Sequence, residues 1–147
     1  MAHLWLDVVA AGLAGALMTI QGTFNSALLK RIGLANMAVL VSLIGFLAAV
    51  VVFFIWGRWS KLTHVVGAPW YAWLGGILGV VIIAGVAFAI GHLSTALAIS
   101  AIITAQLATA LIVDHFGLFG SEKVGLSWLR AVGLVLMVVG TRLMVDR

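Results

Sequence analysis

The chain contains no cysteine, so neither a disulfide framework nor thiolate chemistry is open to it. It has one proline, Pro69, and one glutamate, Glu122, and charged residues make up only 8% of its 147 residues. Acidic groups are too few and too scattered for a metal centre. Asp114 and His115 adjoin, but neighbours in sequence do not face one another on a helix, and no further ligand cluster accompanies them. No nucleophile–base pair or phosphate-cradling loop is recognisable, so the reading is of a non-enzyme without catalytic residues, metal or cofactor. The net charge of +4 and pI near 10.4 invite a nucleic-acid reading, yet the longest basic run is the pair Lys30-Arg31. Those cations sit at helix ends, as membrane flanks do, so no nucleic-acid partner is expected. Residues 1–9 hold no Lys or Arg, which argues against the basic region of a cleaved signal peptide. The first helix is accordingly expected to be retained.

What remains is overwhelmingly apolar: 65% hydrophobic residues and a mean hydropathy of +1.29, far outside the usual soluble range. The chain reads as an all-α, polytopic membrane protein whose principal partner is the lipid bilayer. A hydrocarbon core of ~30 Å takes ~20 helical residues at ~1.5 Å each. On that measure five transmembrane helices are expected, at about 4–29, 37–56, 70–90, 96–113 and 126–145, forming a single transmembrane domain over 1–147. Gly33 is the expected C-cap of the first helix and Asn36 the expected N-cap of the second. Pro69 suits the first turn of the third helix, and Ser94 or Thr95 the N-cap of the fourth.

Polar residues inside such helices carry the functional information. Gln21 and Asn25, spaced i, i+4, share a face of the first helix. In the fourth, Gln106 and Thr109 share a face, with Ser100 and Thr104 completing its polar set. Buried amides at membrane depth turn toward a cavity, a pathway or a partner helix. Two readings therefore stand side by side: these residues line a solute pathway, or they hold helices together. Ser42 is the only strongly polar interior residue of the second helix. Gly75, Gly76 and Gly79 of the third make a small-xxx-small pattern suited to helix packing. Asp114 and Arg130 each sit at the unfavourable end of a helix dipole, which makes them natural partners in an interfacial ion pair. His92 and Asp7 are weaker candidates for a proton relay. The competing roles are an interfacial turn for His92 and, for Asp7, a carboxylate favoured by the helix N-terminus.

With five spans the termini lie on opposite sides, and the cations divide evenly between the two faces. Arg58, Lys61, Lys123 and Arg130 lie on the N-terminal face; Lys30, Arg31, Arg142 and Arg147 lie on the other. No positive-inside bias results, so the chain is expected to insert both ways. All six tryptophans, at 5, 56, 59, 70, 73 and 128, fall at helix ends of the N-terminal face. Two antiparallel copies would give each interface an aromatic belt.

These motifs resemble the small YdcZ-like family of the drug/metabolite transporter superfamily over nearly the whole chain. The resemblance is carried by Gln21-x-x-x-Asn25-x-x-Leu28 with Gly33, by Pro69-Trp70-x-x-x-x-Gly75-Gly76-x-x-Gly79, and by Gln106 with Asp114-His115-Phe116-Gly117. Arg130-x-x-Gly133 and Gly140 complete it. The resemblance implies a five-helix half of a ten-helix bundle in the bacterial cytoplasmic (inner) membrane, two inverted halves building the transporter. Small multidrug exporters of the same superfamily carry a membrane-embedded glutamate in the first helix. This chain has none there, so a neutral or zwitterionic polar solute is expected rather than a bulky cation. The functional expectation is a membrane transporter that moves a small polar organic solute by alternating access, through a midplane site between the subunits of an antiparallel homodimer. The alternatives are a non-transporting accessory subunit of a larger membrane complex and one half of an obligate heterodimeric transporter.

Overall fold

A computed structural model describes residues 2–145 of the chain. Asp146 and Arg147, the latter counted above among the cations, lie outside the described residues. The described residues are helical with short connections and contain no strand. Five principal helices follow one another: α1 (Ala2–Ile32), α2 (Leu34–Trp56), α3 (Leu74–His92), α4 (Thr95–Phe116) and α5 (Trp128–Leu143). Four segments are long and apolar enough to cross a membrane: Leu4–Ile32, Leu34–Trp56, Trp70–His92 and Thr95–Phe116. Helix α5, with 16 residues, would extend only ~24 Å at ~1.5 Å per residue, short of a ~30 Å core. The chain divides into two compact units, Ile20–Gly91 and a second made of the residues up to Thr19 with those from His92 onward. Helix α1 contributes residues to both.

In the unit Ile20–Gly91, the reversal between α1 and α2 takes a single residue. Lys30 and Arg31 lie in the last turn of α1, where cations complement the helix dipole. Gly33 then adopts φ +79° and ψ 165°, a combination essentially confined to glycine. Helix α2 begins at once, at Leu34 rather than after Asn36. The Asn36 side chain instead donates through Nδ2 to the Ile32 carbonyl at 2.8 Å. It thereby satisfies one of the carbonyls left over where α1 ends, a more pressing need than capping a helix that has already begun. The covered face of α2 centres on Met37 and Ala38, 0% and 8% exposed, while most of its other apolar residues are exposed.

Between α2 and α3 the chain stays helical in short pieces: one α-turn, Trp59–Leu62, and 3-10 turns at Thr63–Gly67 and Trp70–Trp73. Trp59 packs edge-on against Phe53, with ring centroids 4.8 Å apart, anchoring this connection to the end of α2. Pro69 is the N-cap of the 3-10 turn, with α3 proper starting at Leu74. Its fixed φ and missing N–H suit a position where no intrahelical donor is needed.

The second unit is built on the α4–α5 hairpin. Ser94 caps α4, its hydroxyl accepting the Leu97 N–H at 3.3 Å, and Ser127 caps α5, accepting from the Arg130 N–H at 3.3 Å. Gly117 closes α4 in the left-handed conformation at φ +64°. From there the chain folds back on the helix end: the Val124 N–H reaches the Asp114 carbonyl at 2.8 Å and the Ser121 hydroxyl reaches the Leu118 carbonyl at 2.8 Å.

Candidate functional site

Within the unit Ile20–Gly91, α1 meets α3 along a seam of small residues. A Cβ added to Gly22 would lie 2.7 Å from Val86 Cγ1 and 2.8 Å from Ile90 Cδ1, so any side chain there would force a neighbour to shift. One turn later Ser26 is buried, and its Oγ would be 3.4 Å from a Cβ built on Gly91. Gly22-x-x-x-Ser26 is thus the small-xxx-small pair that packs here. A Cβ at Gly75, Gly76 or Gly79 would meet nothing within 4 Å. Gly22 was not singled out from the sequence, although its four-residue spacing to Ser26 was legible there.

The seam also sorts the two amides. Asn25 lies on the covered side with Gly22 and Ser26 and is 6% exposed, whereas Gln21 lies on the open side of α1. Neither carboxamide forms a hydrogen bond among the described residues. On α2, Ser42 Oγ is buried and likewise has no hydrogen-bond partner among them.

Polar groups of the α4–α5 hairpin behave differently. Thr104 Oγ1 lies 2.7 Å from Thr141 Oγ1, and the Thr141 hydroxyl also approaches the Ser100 carbonyl at 3.1 Å. Ser100, Thr104 and Thr109 each donate to the carbonyl four residues back, at 2.8, 2.8 and 2.9 Å. Thr141, not singled out from the sequence, ties α5 to α4. Its only signal was a lone hydroxyl beside Gly140 in an apolar helix. Gln106 is exposed, and its Nε2 is 4.0 Å from Met18 Sδ, the outer limit for a weak thioether acceptor. Thr109 is exposed on the same side of α4.

At the turn end of the hairpin, Arg130 Nη1 lies 3.8 Å from Asp114 Oδ2, with both side chains about 40% exposed. A pair so open to its surroundings is worth at most about 1 kcal/mol. His115 Nδ1 accepts the Leu126 N–H at 3.4 Å. The imidazole stands at an apolar cavity of about 370 Å³ between α4 and α5, walled by Leu111, Phe116, Leu134 and Val135 among others. His92 ends α3 and is exposed. Asp7 is exposed and lies in the second turn of α1, since that helix begins at Ala2. Among the described residues no group of three His, Asp or Glu side chains could hold a metal ion.

Long apolar helices bearing a few polar side chains describe a multi-pass membrane protein. A profile of the family described as "Putative inner membrane exporter, YdcZ" matches residues 6–143. The chain belongs to the YdcZ family. No curated protein and no solved structure matched it. The match takes in all five principal helices and the candidate residues Asp7, Gln21, Asn25, His92, Gln106 and Arg130. As a YdcZ-family chain it is a multi-pass membrane protein of an exporter family.

Proposed function

We propose that this chain is one half of an exporter that moves a small, uncharged polar solute across the bacterial inner membrane by alternating access. Two copies in opposite orientation form a ten-helix bundle of the drug/metabolite transporter type. In it α5 completes the membrane crossing as the fifth span of each copy, shielded by its partner helices from a full-length contact with lipid. The observation that carries this reading is the exposure of Gln21 and Gln106 on helices long enough to span the membrane. Facing lipid, each carboxamide would hold two donors and two acceptor lone pairs in hydrocarbon, which is strongly unfavourable. Facing an aqueous pathway between subunits, both are solvated and can exchange water for a solute. Thr109 extends the polar face of Gln106 on α4. The stripe Gly75, Gly76 and Gly79, open in the single chain, permits close approach of the second copy. Asp114 and Arg130 form a weak, breakable latch at the interface.

A second reading has its own support. The Thr104–Thr141 contact shows hydroxyls holding two helices of this chain together, and an accessory subunit would use Gln106 in the same way against a larger partner. Gln21→Leu in everted vesicles, assayed for uptake of a panel of radiolabelled polyols, amides and ureas, separates the two. Transport lost with the assembled dimer intact supports the exporter; loss of assembly supports the packing role and overturns the pathway.

A further inference from the structure

Hydroxyls in apolar helices ordinarily satisfy themselves by bonding the carbonyl four residues back. Thr19, Ser100 and Thr109 all do so in this chain. Ser42 does not: it leaves the Ala38 carbonyl and buries Oγ with no partner among the described residues. Asn25 is 6% exposed as a residue and forms no hydrogen bond among the described residues, although its carboxamide atoms are not fully buried as Ser42 Oγ is. Buried polar atoms of native proteins are nearly always paired, and each exception calls for a physical account.

The two side chains occur at matching depth. Asn25 lies eight residues before the Gly33 reversal and Ser42 nine after it. At ~1.5 Å per residue both stand ~12–14 Å from the reversal, near the middle of a ~30 Å core. They belong to one compact unit and to the covered faces of α1 and α2. Between residues 20 and 91 the charged side chains are Lys30 and Arg31 at one helix end and Arg58 and Lys61 at another. None lies at this depth. A carboxylate or ammonium there would have no counterion, whereas a hydroxyl and a carboxamide each offer a donor and an acceptor to an uncharged group.

We propose that Asn25 and Ser42 form a polar subsite on α1 and α2 for an uncharged solute group that both donates and accepts hydrogen bonds, such as a hydroxyl, amide or urea. This rests on the transport reading and its uncharged solute, and adds to it a second helix, α2, as the place where that neutrality is selected.

The absence of cysteine supplies the test. Ser42→Cys, Asn25→Cys, Gln21→Cys, Gln106→Cys and the lipid-facing control Leu43→Cys are reconstituted separately in proteoliposomes. Each is treated with 2-hydroxyethyl methanethiosulfonate, which is neutral, and with its trimethylammonioethyl counterpart, which is cationic. Because thiolate formation requires hydration, Ser42→Cys and Asn25→Cys should react at least about tenfold faster than Leu43→Cys with the neutral reagent. Relative to a free thiol, both should disfavour the cationic one. If Gln21→Cys and Gln106→Cys react while Ser42→Cys is as slow as the control, the subsite is overturned and the pathway stands. Equal reaction with the cationic reagent overturns the selectivity for neutral cargo. Silence at all four polar positions overturns the pathway and the subsite together.

Discussion

Replacing Gly22 with alanine tests how tightly α1 and α3 are packed. The added Cβ would lie 2.7 Å from Val86 Cγ1 and 2.8 Å from Ile90 Cδ1, against an optimum of about 3.5–4.0 Å for carbon pairs. The Ile90 terminus can swing aside, but Val86 is β-branched and has essentially one χ1 rotamer in a helix. The helices must therefore separate by several tenths of an ångström or Val86 must leave its rotamer. Overpacking of this kind costs about 1–3 kcal/mol, and the gain in helix propensity returns about 0.5–1 kcal/mol. Gly22→Ala should thus be neutral to about 2 kcal/mol destabilising. Gly12→Ala, on the same helix with nothing within 4 Å of the new Cβ, should keep only the gain of about 0.5–1 kcal/mol. Unfolding in mixed micelles by SDS titration, followed by far-UV circular dichroism, gives the difference directly. Adding Val86→Ala removes the nearest obstructing atom and should restore most of what Gly22→Ala loses. If Gly22→Ala proves as stabilising as Gly12→Ala, the seam is not close-packed and the assignment of Gly22-x-x-x-Ser26 as the packing pair is wrong.

Two further outcomes follow from backbone strain and from paired hydroxyls. Gly33→Ala forces a side chain into φ +79°, ψ 165° and should cost about 1–3 kcal/mol of stability in the same titration even though the new methyl meets no neighbour; an unchanged midpoint would mean the reversal tolerates another backbone conformation. For Thr104 and Thr141, single valine substitutions and the double variant form a cycle whose coupling should reach about 0.6–1.7 kcal/mol, and additive losses would rule out the 2.7 Å contact.

Much of this architecture was legible because membrane crossing imposes a length and an apolar composition that a single chain cannot disguise. The starts and ends were less so, and the reasons are local. Asn36 carries a residue type favoured at N-caps, but the carbonyls ending α1 lie within its reach and claim its side chain first. Trp70 to Trp73 continue an apolar run and so read as α-helix, yet after Pro69 they form a tighter 3-10 turn before α3 begins. The seam glycine was masked for a different reason. Gly75, Gly76 and Gly79 are the denser cluster, while packing selects by contact, and among the helical glycines Gly22 meets the tightest one. Polar spacing placed Gln21 and Asn25 on one face, but i, i+4 neighbours are offset by about 40°. At the edge of a covered stripe that offset leaves one exposed and the other buried.

The polar side chains of the long helices fall into two sets, and the division bears on function more than any single residue does. Ser100, Thr104, Thr109 and Thr141 are satisfied by carbonyls or by one another, and they stay satisfied whatever surrounds the chain. Gln21, Asn25 and Ser42 are not satisfied from within, and Gln106 has only a distant sulfur. A helix that needed glue alone would use the first kind, as the α4–α5 hairpin does, since threonine and serine can fall back on their own helix. A carboxamide is too long and has too many hydrogen-bonding sites to do so, so in a span it needs a polar partner, either a second helix or a hydrated pathway. In the proposed exporter that partner is the pathway. Under the proposed function no embedded acid is needed: four neutral groups would bind and release an uncharged solute without moving a proton, and the direction of net movement would then follow the solute's own gradient.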